Sequence, residues 1–416
     1  MNTVNYFTAP QTLWRIHVGP LGPYVDAFVS WLQEQHYSRS TIQSSVRAVA
    51  DWSRWLHVHG IASNDVDTKQ LDRFVRYRAQ HAQSRAVHPD GRRGLQRMLG
   101  WLQKTGVAPR SNVPAPLSHR EIIVHDFGQY MFRQRGLSST TLRLYLPYIS
   151  QFLEERFGHE VIKVETLRTQ DVTGFVQRNS RTLGHSSIQH RVTALRAFLR
   201  YLRHTGQISI DLAACVPSVA NWSFSALPKF LLPAQVQLIL DQCDRSTSKG
   251  RRDYAIFLLL ARLGLRAGEV AALTLDDINW EQGHLTLRGK GGRWAQLPIP
   301  AEVGNAISNY ITNARPSTTD RHVFIRELAP RTGFSASTRV SALVRSAVTQ
   351  AGIDAARKGA HLFRHSLATE MLRKGSSLRE IGQVLRHRSP DTTQLYAKVD
   401  LPSLQQLAMP WPGEEQ

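Results

Sequence analysis

The chain has 416 residues, which is enough for two or three domains, and 42% of them are hydrophobic, so it has the apolar content for ordinary buried cores. Its formal net charge of +20 favours a polyanionic partner, with nucleic acid ahead of a membrane surface. The longest apolar run, residues 255–261, is far shorter than the ~20 residues that cross a bilayer, and residues 1–20 lack the continuous apolar stretch of a signal peptide, so we expect a cytoplasmic protein.

An internal repeat with an offset of 100 residues occupies the N-terminal half of the chain. Residues 37–42 align with residues 137–142, and the Thr-Gly pair at 105–106 aligns with the pair at 205–206. Apolar residues recur within both copies at the spacing of one helix face. The two copies are therefore predicted to be small helical bundles, each ending where a glycine can close a helix.

Segments with prolines separate the predicted domains. Residues 108–117 are rich in proline, and residues 217–228 begin and end with it. Proline lacks a backbone N–H and cannot continue a helix, so both segments are predicted to be breaks. The predicted order is an N-terminal segment (1–23), an extra helical domain (24–107), a linker (108–117), a second helical domain (118–218), a second linker (219–228), a third domain (229–400) and a C-terminal tail (401–416).

The third domain is predicted to be helical with one β-hairpin. The apolar-polar alternation of residues 285–288 and 294–299 is typical of strands, and the Gly-Lys-Gly-Gly sequence at 289–292 is typical of the turn between them. This arrangement puts Lys290 at an exposed tip. The sequence therefore predicts a mainly α fold with a small antiparallel β-sheet in the third domain.

The C-terminal part of this domain carries a cluster of reactive side chains. His361 and Arg364 lie three positions apart and share one face of a helix; His387 follows, and Tyr396 comes nine residues after it. Each residue alone has an ordinary interpretation as part of a polar helix face or as a rim aromatic. Together they supply a hydroxyl nucleophile and fixed positive donors, which enzymatic attack on a phosphodiester requires.

Two further basic residues precede this cluster. Arg266 is followed three residues later by Glu269, and Lys290 lies in the predicted hairpin turn. Taken alone, Arg266 could be a cation at a helix end, and the turn could be only a turn. The complete ordered set is much harder to obtain by chance than any one of its members.

In order and spacing these residues resemble the tyrosine recombinases, also called phage integrases, over roughly residues 118–400. The resemblance implies a catalytic domain preceded by a SAM-like helical core-binding domain that grips DNA, and it leaves the first repeat copy as an extra domain. Arg386 is a departure, because the family usually has glycine before the histidine. The residues that match the family's catalytic set are Arg266, Lys290, His361, Arg364, His387 and Tyr396.

The resemblance implies that Tyr396 attacks DNA and forms a covalent 3′-phosphotyrosyl intermediate, which stores the energy of the broken bond for religation. Arginine forks suit a pair of phosphate oxygens, so Arg266 and Arg364 are the expected clamp. A phenol with a pKa near ~10 must lose its proton as it attacks, and His361 is the expected base or proton relay.

The remaining residues of the set receive supporting roles. His387 is expected to donate a hydrogen bond to the same phosphate, and Lys290 to protonate the 5′-hydroxyl leaving group. Glu269 is expected to orient Arg266 or His361. These roles complete a mechanism for breaking and rejoining a DNA strand.

No cofactor or metal ion is expected for this mechanism. The glycine-rich turn at 289–292 lacks the spacing and the following helix of a nucleotide-binding P-loop. The two cysteines, Cys215 and Cys243, are far from the paired spacing that zinc sites use, and two inert thiols are the better interpretation.

The sequence therefore predicts a site-specific recombinase or integrase of a bacterial mobile element, acting on double-stranded DNA and associated with the nucleoid. A type IB topoisomerase-like enzyme that relaxes DNA is the close alternative, and a catalytically silent DNA-binding protein is the alternative from another class. Strand exchange needs several active sites, so we expect a homotetramer, or a hetero-oligomer with related recombinases, on paired DNA sites. The tail at 401–416 is expected to reach a neighbouring protomer.

Overall fold

The computed structural model describes residues 2–81, 89–109, 118–158, 160–180, 185–218, 229–288, 294–334, 336–355, 358–387 and 389–399. Lys290, the tail at 401–416, the second predicted linker and most of the first lie outside the described residues. The chain divides into two compact units, one made of residues 1–110 and 226–416 and the other of residues 111–225. As predicted, the described residues are mainly α-helical with a small antiparallel sheet.

Residues 1–110 form a helical bundle around one hydrophobic core. Its helices are α1 (Pro10–His17), α2 (Val25–Glu34), α3 (Arg39–Val58), α4 (Thr68–His81) and α5 (Pro89–Lys104). Trp52, Phe28 and Phe74 are among its largest fully buried side chains. The apolar spacing of α3 buries one face along most of its length, and Trp52 contributes to that face.

The core of this bundle begins earlier than the predicted boundary at residue 24. Phe7 and Ile16 are buried in it, and the side-chain hydroxyl of Thr3 donates a hydrogen bond of 2.8 Å to Asp26. The apolar residues of this segment are too sparse to predict a helix from periodicity alone. Their burial depends on the partner surface that α2 and α3 provide.

The second unit, residues 111–225, is a bundle around a separate core. Its helices are α6 (His119–Arg133), α7 (Ser139–Phe157), α8 (Thr169–Ser180) and α9 (His185–His204). A capping box begins α6, because Ser118 accepts from the backbone of Glu121 while the Glu121 side chain accepts from the backbone of Ser118. The core contains Phe127, Phe152 and other aromatic side chains.

The two bundles repeat one another in detail. Helices α3 and α7 both begin after a serine, Ser38 or Ser138, whose hydroxyl accepts from the backbone N–H three residues later at 3.3 and 3.2 Å. Gly106 and Gly206 follow α5 and α9 with φ of 79° and 73°, in the left-handed region that glycine adopts without strain. The predicted repeat of 100 residues is thus visible in caps and helix ends as well as in apolar spacing.

Residues 229–399 form a mostly helical assembly with a small sheet. Its helices are α10 (Pro233–Asp241), α11 (Ser248–Arg262), α12 (Ala267–Ala272), α13 (Ala301–Asn313), α14 (Ser337–Gln350), α15 (His361–Arg373), α16 (Leu378–Val384) and α17 (Pro390–Gln394). The core is built around α11, which is buried from Ala255 to Ala261.

The predicted hairpin is confirmed for its strands. β2 (His284–Arg288) pairs antiparallel with β3 (Trp294–Pro298), with Leu285 opposite Leu297, and β1 (Ile278–Asn279) pairs with the other edge of β2. The turn that carries Lys290 lies outside the described residues.

A smaller hydrophobic cluster lies beside the main core of this part. It joins Ala368 of α15, Ile381 of α16, Leu385 and Tyr396, which is in a 3₁₀-helix that directly follows α17. Helix α15, helix α16 and the 3₁₀-helix after α17 therefore share a local core that contains the predicted nucleophile. Among the helices that the structure describes, none combines the length and the apolar character needed to cross a membrane.

Candidate active site

Helix α15 begins at His361 and contains Arg364, the second residue of the predicted His361–Arg364 pair, which is buried. Arg364 is 4% exposed, and its two terminal nitrogens donate hydrogen bonds to the carbonyl oxygens of Gly264 and Leu385. Loss of hydration, together with the charges of the nearby Arg266 and Arg386, lowers the pKa of Arg364 to about 10. The guanidinium is thus fixed between the chain that follows α11 and the chain that follows α16.

The carbonyl of Gly264 can hold Arg364 because this position is a glycine. Its φ is +56°, and a Cβ built there would lie 2.6 Å from Leu385 Cδ2 and 3.1 Å from Leu367 Cδ2. Both the backbone conformation and the close approach disfavour a side chain at this position. The short segment after α11 therefore positions the buried arginine of α15.

Arg266 begins the short helix α12 and is paired with Glu269. The backbone N–H of Arg266 donates to Glu269 Oε2 at 2.8 Å, and its Nη1 donates to Oε1 at 2.8 Å. Its Nη2 donates to the carbonyl of Arg386 at 3.3 Å. Glu269 thus contacts both the backbone and the side chain of Arg266, whose guanidinium is partly exposed.

Tyr396 is buried against the local core, and its hydroxyl meets a histidine. The residue is 1% exposed, and its Oη lies 2.9 Å from Nδ1 of His365. Burial raises the pKa of Tyr396 to about 12, against the opposing effect of Arg364. Burial, together with the nearby His361 and Arg364, lowers the pKa of His365 to about 4, so the ring is neutral near pH 7 and can accept a proton.

His387 follows α16 and is held by the next helix. Its Nδ1 lies 2.7 Å from the hydroxyl of Thr393, and its ring stacks on Tyr396 with a centroid distance of 6.3 Å and an interplanar angle of 6°. Burial, together with the charges of Arg364 and Arg266, lowers the pKa of His387 to about 4. If the Thr393 hydroxyl donates to Nδ1, the ring proton lies on Nε2, which is free to donate to a ligand.

His361 stands at the exposed edge of this group. It is exposed, yet loss of hydration and the charges of Arg364 and Arg266 lower its pKa. Its ring centroid lies 6.3 Å from that of His365, one turn later on α15. The structure therefore places His365, to which the sequence analysis gave no role, against the phenol, whereas His361, the expected base, is exposed.

The structure brings most of the predicted residues together. The side chains of Arg266, Glu269, Arg364, His387 and Tyr396 are linked by direct contacts or by mutual electrostatic effects, with His361 beside them. Sequence reasoning missed His365, although it lies one turn after His361 on the same helix. It also missed Thr393, whose contact with His387 depends on the fold of α17.

Comparisons with known proteins identify the family of this chain. Residues 229–401 match the model of the phage integrase family, and residues 124–206 match that of the phage integrase N-terminal SAM-like domain. The integrase/recombinase y4rA of Sinorhizobium fredii is 41% identical over 415 residues, which cover 99% of this chain and all of that protein. This chain belongs to the phage integrase family. It is a tyrosine site-specific recombinase.

Other proteins that are similar to the recombinase are also named as recombinases or integrases. The tyrosine recombinase XerD of Listeria monocytogenes is 29% identical over 292 residues, covering 67% of this chain and 94% of that protein. Among solved structures, the XerH recombinase bound to its palindromic difH substrate in a post-cleavage complex has a TM-score of 0.56 at 18% identity, covering 82% of this chain and 95% of that one. A λ integrase dimer bound to a core site has a TM-score of 0.53 at 15% identity, covering 67% and 95%. These structures share the recombinase's fold.

Proposed function

We propose that the recombinase cuts one DNA strand with Tyr396 as nucleophile and His365 as the proton acceptor. The observation that carries this proposal is the 2.9 Å contact between Tyr396 Oη and His365 Nδ1, next to the buried charge of Arg364. In the proposed step a bond forms between Tyr396 Oη and the phosphorus, and the phenol proton passes to Nδ1 of His365. The bond from the phosphorus to the 5′-oxygen breaks at the same time.

A phenol with a pKa of about 12 needs this help at neutral pH. Only about one molecule in 10⁵ would carry the phenolate at pH 7 without a base. A neutral histidine at hydrogen-bond distance removes the proton as attack proceeds, which general base catalysis requires. The approach of DNA must also uncover Tyr396, because the hydroxyl is buried in the unbound chain.

In this proposal Arg266 and Arg364 bind the non-bridging oxygens of the phosphate. Arginine forks match that geometry, and charge that develops in a partly desolvated site is strongly stabilised by fixed donors. His361 and His387 each add an N–H donor from the same surface. The positions of these groups next to Tyr396 support the assignment.

Lys290 is proposed as the acid that protonates the departing 5′-oxygen. The test uses a substrate in which sulfur replaces this oxygen, because the thiolate is a better leaving group and needs no acid. The Lys290→Ala variant should cut the normal substrate slowly and the sulfur substrate at nearly the wild-type rate. Equal impairment on both substrates would assign Lys290 another role.

The experiment that tests the nucleophile uses a nicked suicide substrate. Wild-type protein should form a covalent DNA adduct that survives denaturation, and peptide mapping should locate it at Tyr396. Tyr396→Phe should abolish the adduct while DNA affinity stays within about twofold. An adduct at another tyrosine, such as Tyr145 or Tyr201, would overturn the site.

We further propose that the three predicted domains all face DNA in a bacterial cytoplasm, where the recombinase acts on a mobile element. Residues 24–107 carry 12 Lys+Arg against 7 Asp+Glu, and residues 118–218 carry 13 against 8, so both repeat copies are similarly basic. Deleting residues 1–110 should shorten the protected DNA and reduce the salt dependence of binding, because fewer phosphates are contacted. An unchanged footprint with loss of site pairing would instead make the extra copy a protein-protein module.

The proposed assembly is a tetramer on paired DNA sites, formed from one recombinase or together with related ones. The tail at 401–416, with leucines at 401, 404 and 407 along one side, is proposed to dock on a neighbouring protomer. Removing it should leave single-site binding nearly intact and weaken cooperative pairing. Unchanged cooperativity would mean that the tail packs on its own protomer.

A further inference from the structure

The position before His387 is occupied by a residue that its backbone disfavours. Arg386 has φ of 55°, in the left-handed region that costs a residue with a side chain roughly 1 kcal/mol or more and that glycine adopts freely. The side chain is 13% exposed, and burial is the main cause that lowers its pKa. A strained and buried arginine at this point requires a compensating interaction.

That interaction is with Glu269, which Arg386 shares with Arg266. Arg386 Nη2 donates to Glu269 Oε2 at 2.8 Å. Arg266 uses the same carboxylate, through its backbone N–H on Oε2 and through its Nη1 on Oε1, each at 2.8 Å. One buried carboxylate is therefore the counterion of two arginines.

Arg386 also has two hydrogen-bond donors that are not used in this structure's described residues. Its Nε and Nη1 atoms are buried and have no hydrogen-bond partner among the described residues. Buried donors of this kind are costly, and a guanidinium normally pairs with a carboxylate through two parallel hydrogen bonds. Among the described residues Arg386 makes one such bond, to Glu269 Oε2, while Glu269 Oε1 accepts from Arg266 Nη1.

We propose that Arg386 is a positioning residue that takes over Glu269 when Arg266 moves to the DNA phosphate. In the unbound chain Glu269 accepts hydrogen bonds from Arg266 and fixes its position. When the phosphate arrives, Arg266 Nη1 leaves Oε1, and a second donor of Arg386 occupies that oxygen. The carboxylate stays neutralised and fully hydrogen-bonded throughout, so Arg266 can bind the phosphate without leaving a buried charge unpaired. This inference rests on the proposed role of Arg266 as part of the phosphate clamp.

Two substitutions of Arg386 distinguish the effect of its charge from the effect of its ability to form two parallel hydrogen bonds. Arg386→Lys keeps the charge but cannot form two parallel hydrogen bonds, and Arg386→Gly removes the side chain while it suits the left-handed backbone. Both variants should lower the single-turnover rate of adduct formation at saturating DNA by about tenfold to a hundredfold, the effect of one lost charge-assisted hydrogen bond. DNA affinity should stay within about twofold. His36→Gly, at a residue with φ of 60° in the first bundle, is the control for relief of backbone strain and should cut at the wild-type rate.

A double-mutant cycle with Glu269→Gln tests the proposed route. A neutral glutamine does not hold Arg266 by charge and needs no counterion, so Arg386→Gly should cost less than about twofold in that background. A cost that persists undiminished would overturn the inference and indicate direct contact of Arg386 with DNA. Wild-type cleavage by Arg386→Gly alone would overturn it as well, with the nucleophile assignment intact. If the wild-type chain forms no adduct at all, both proposals fail.

Discussion

Replacing Gly264 by alanine tests how Arg364 is positioned. The new Cβ would lie 2.6 Å from Leu385 Cδ2, inside the contact limit, and the φ of +56° disfavours any side chain. The backbone conformation costs about 1–2 kcal/mol, and the overlap with Leu385 costs about 1–3 kcal/mol more, so we expect a loss of about 2–5 kcal/mol in the free energy of unfolding.

Gly352→Ala is the matched control for this variant. Gly352 has φ of +65°, and a Cβ there would meet no described atom within 4 Å. The control should therefore lose only the backbone contribution of about 1–2 kcal/mol. Urea unfolding of both variants measures the difference, which isolates the contact with Leu385.

The same substitution should reduce catalysis, because the Gly264 and Leu385 carbonyls both accept hydrogen bonds from Arg364. We expect a cleavage rate at least about tenfold below that of Gly352→Ala at a temperature where both variants are folded, since loss of one preorganised donor costs about 10²–10³ in rate. Equal stabilities together with equal cleavage rates would refute the reasoning about this segment.

Further predictions concern the side chains at the site. Arg364→Lys should cut about 10²–10³ times more slowly in single-turnover assays, because lysine cannot bind two phosphate oxygens or both carbonyls. His365→Asn should slow adduct formation by about 10² or more, and His361→Asn by clearly less; the reverse order would restore His361 as the base. The free energy of unfolding should fall between pH 6.5 and about 4, because His365 and His387 have folded-state pKa values of about 4, below the ordinary 6.5, so folding favours the neutral rings. Their contribution is fully present above pH 6.5, and the loss of stability measured in urea titrations at lower pH should be smaller in His365→Asn.

The parts of the fold that sequence could predict are those with local signals. The repeat was visible because Ser38 and Ser138 cap equivalent helices and because Gly106 and Gly206 end them. The hairpin was predictable because its strands alternate apolar and polar residues around a glycine-rich turn. His361 and Arg364 could be assigned to one helix from their spacing.

Other features depend on contacts between distant segments, which spacing does not encode. The partner of Tyr396 was expected to be His361, but the hydroxyl meets His365, and only the relative rotation of α15 and the chain after α17 decides between them. The role of Gly264 was likewise hidden, because its carbonyl meets a side chain 100 residues away. The sequence marked Arg386 as a departure from the family pattern, and only the structure reveals its shared carboxylate.

The burial of Tyr396 affects what happens when the recombinase contacts DNA outside a recombination site. A chain with a net charge of +20 binds any duplex through the phosphates, and most such encounters occur away from a recombination site. An exposed phenolate would endanger the chromosome at each of them. With the hydroxyl 1% exposed and protonated, Tyr396 cannot attack a phosphate until the site opens, so contact with unrelated sequence that leaves the site closed also leaves the DNA strand intact.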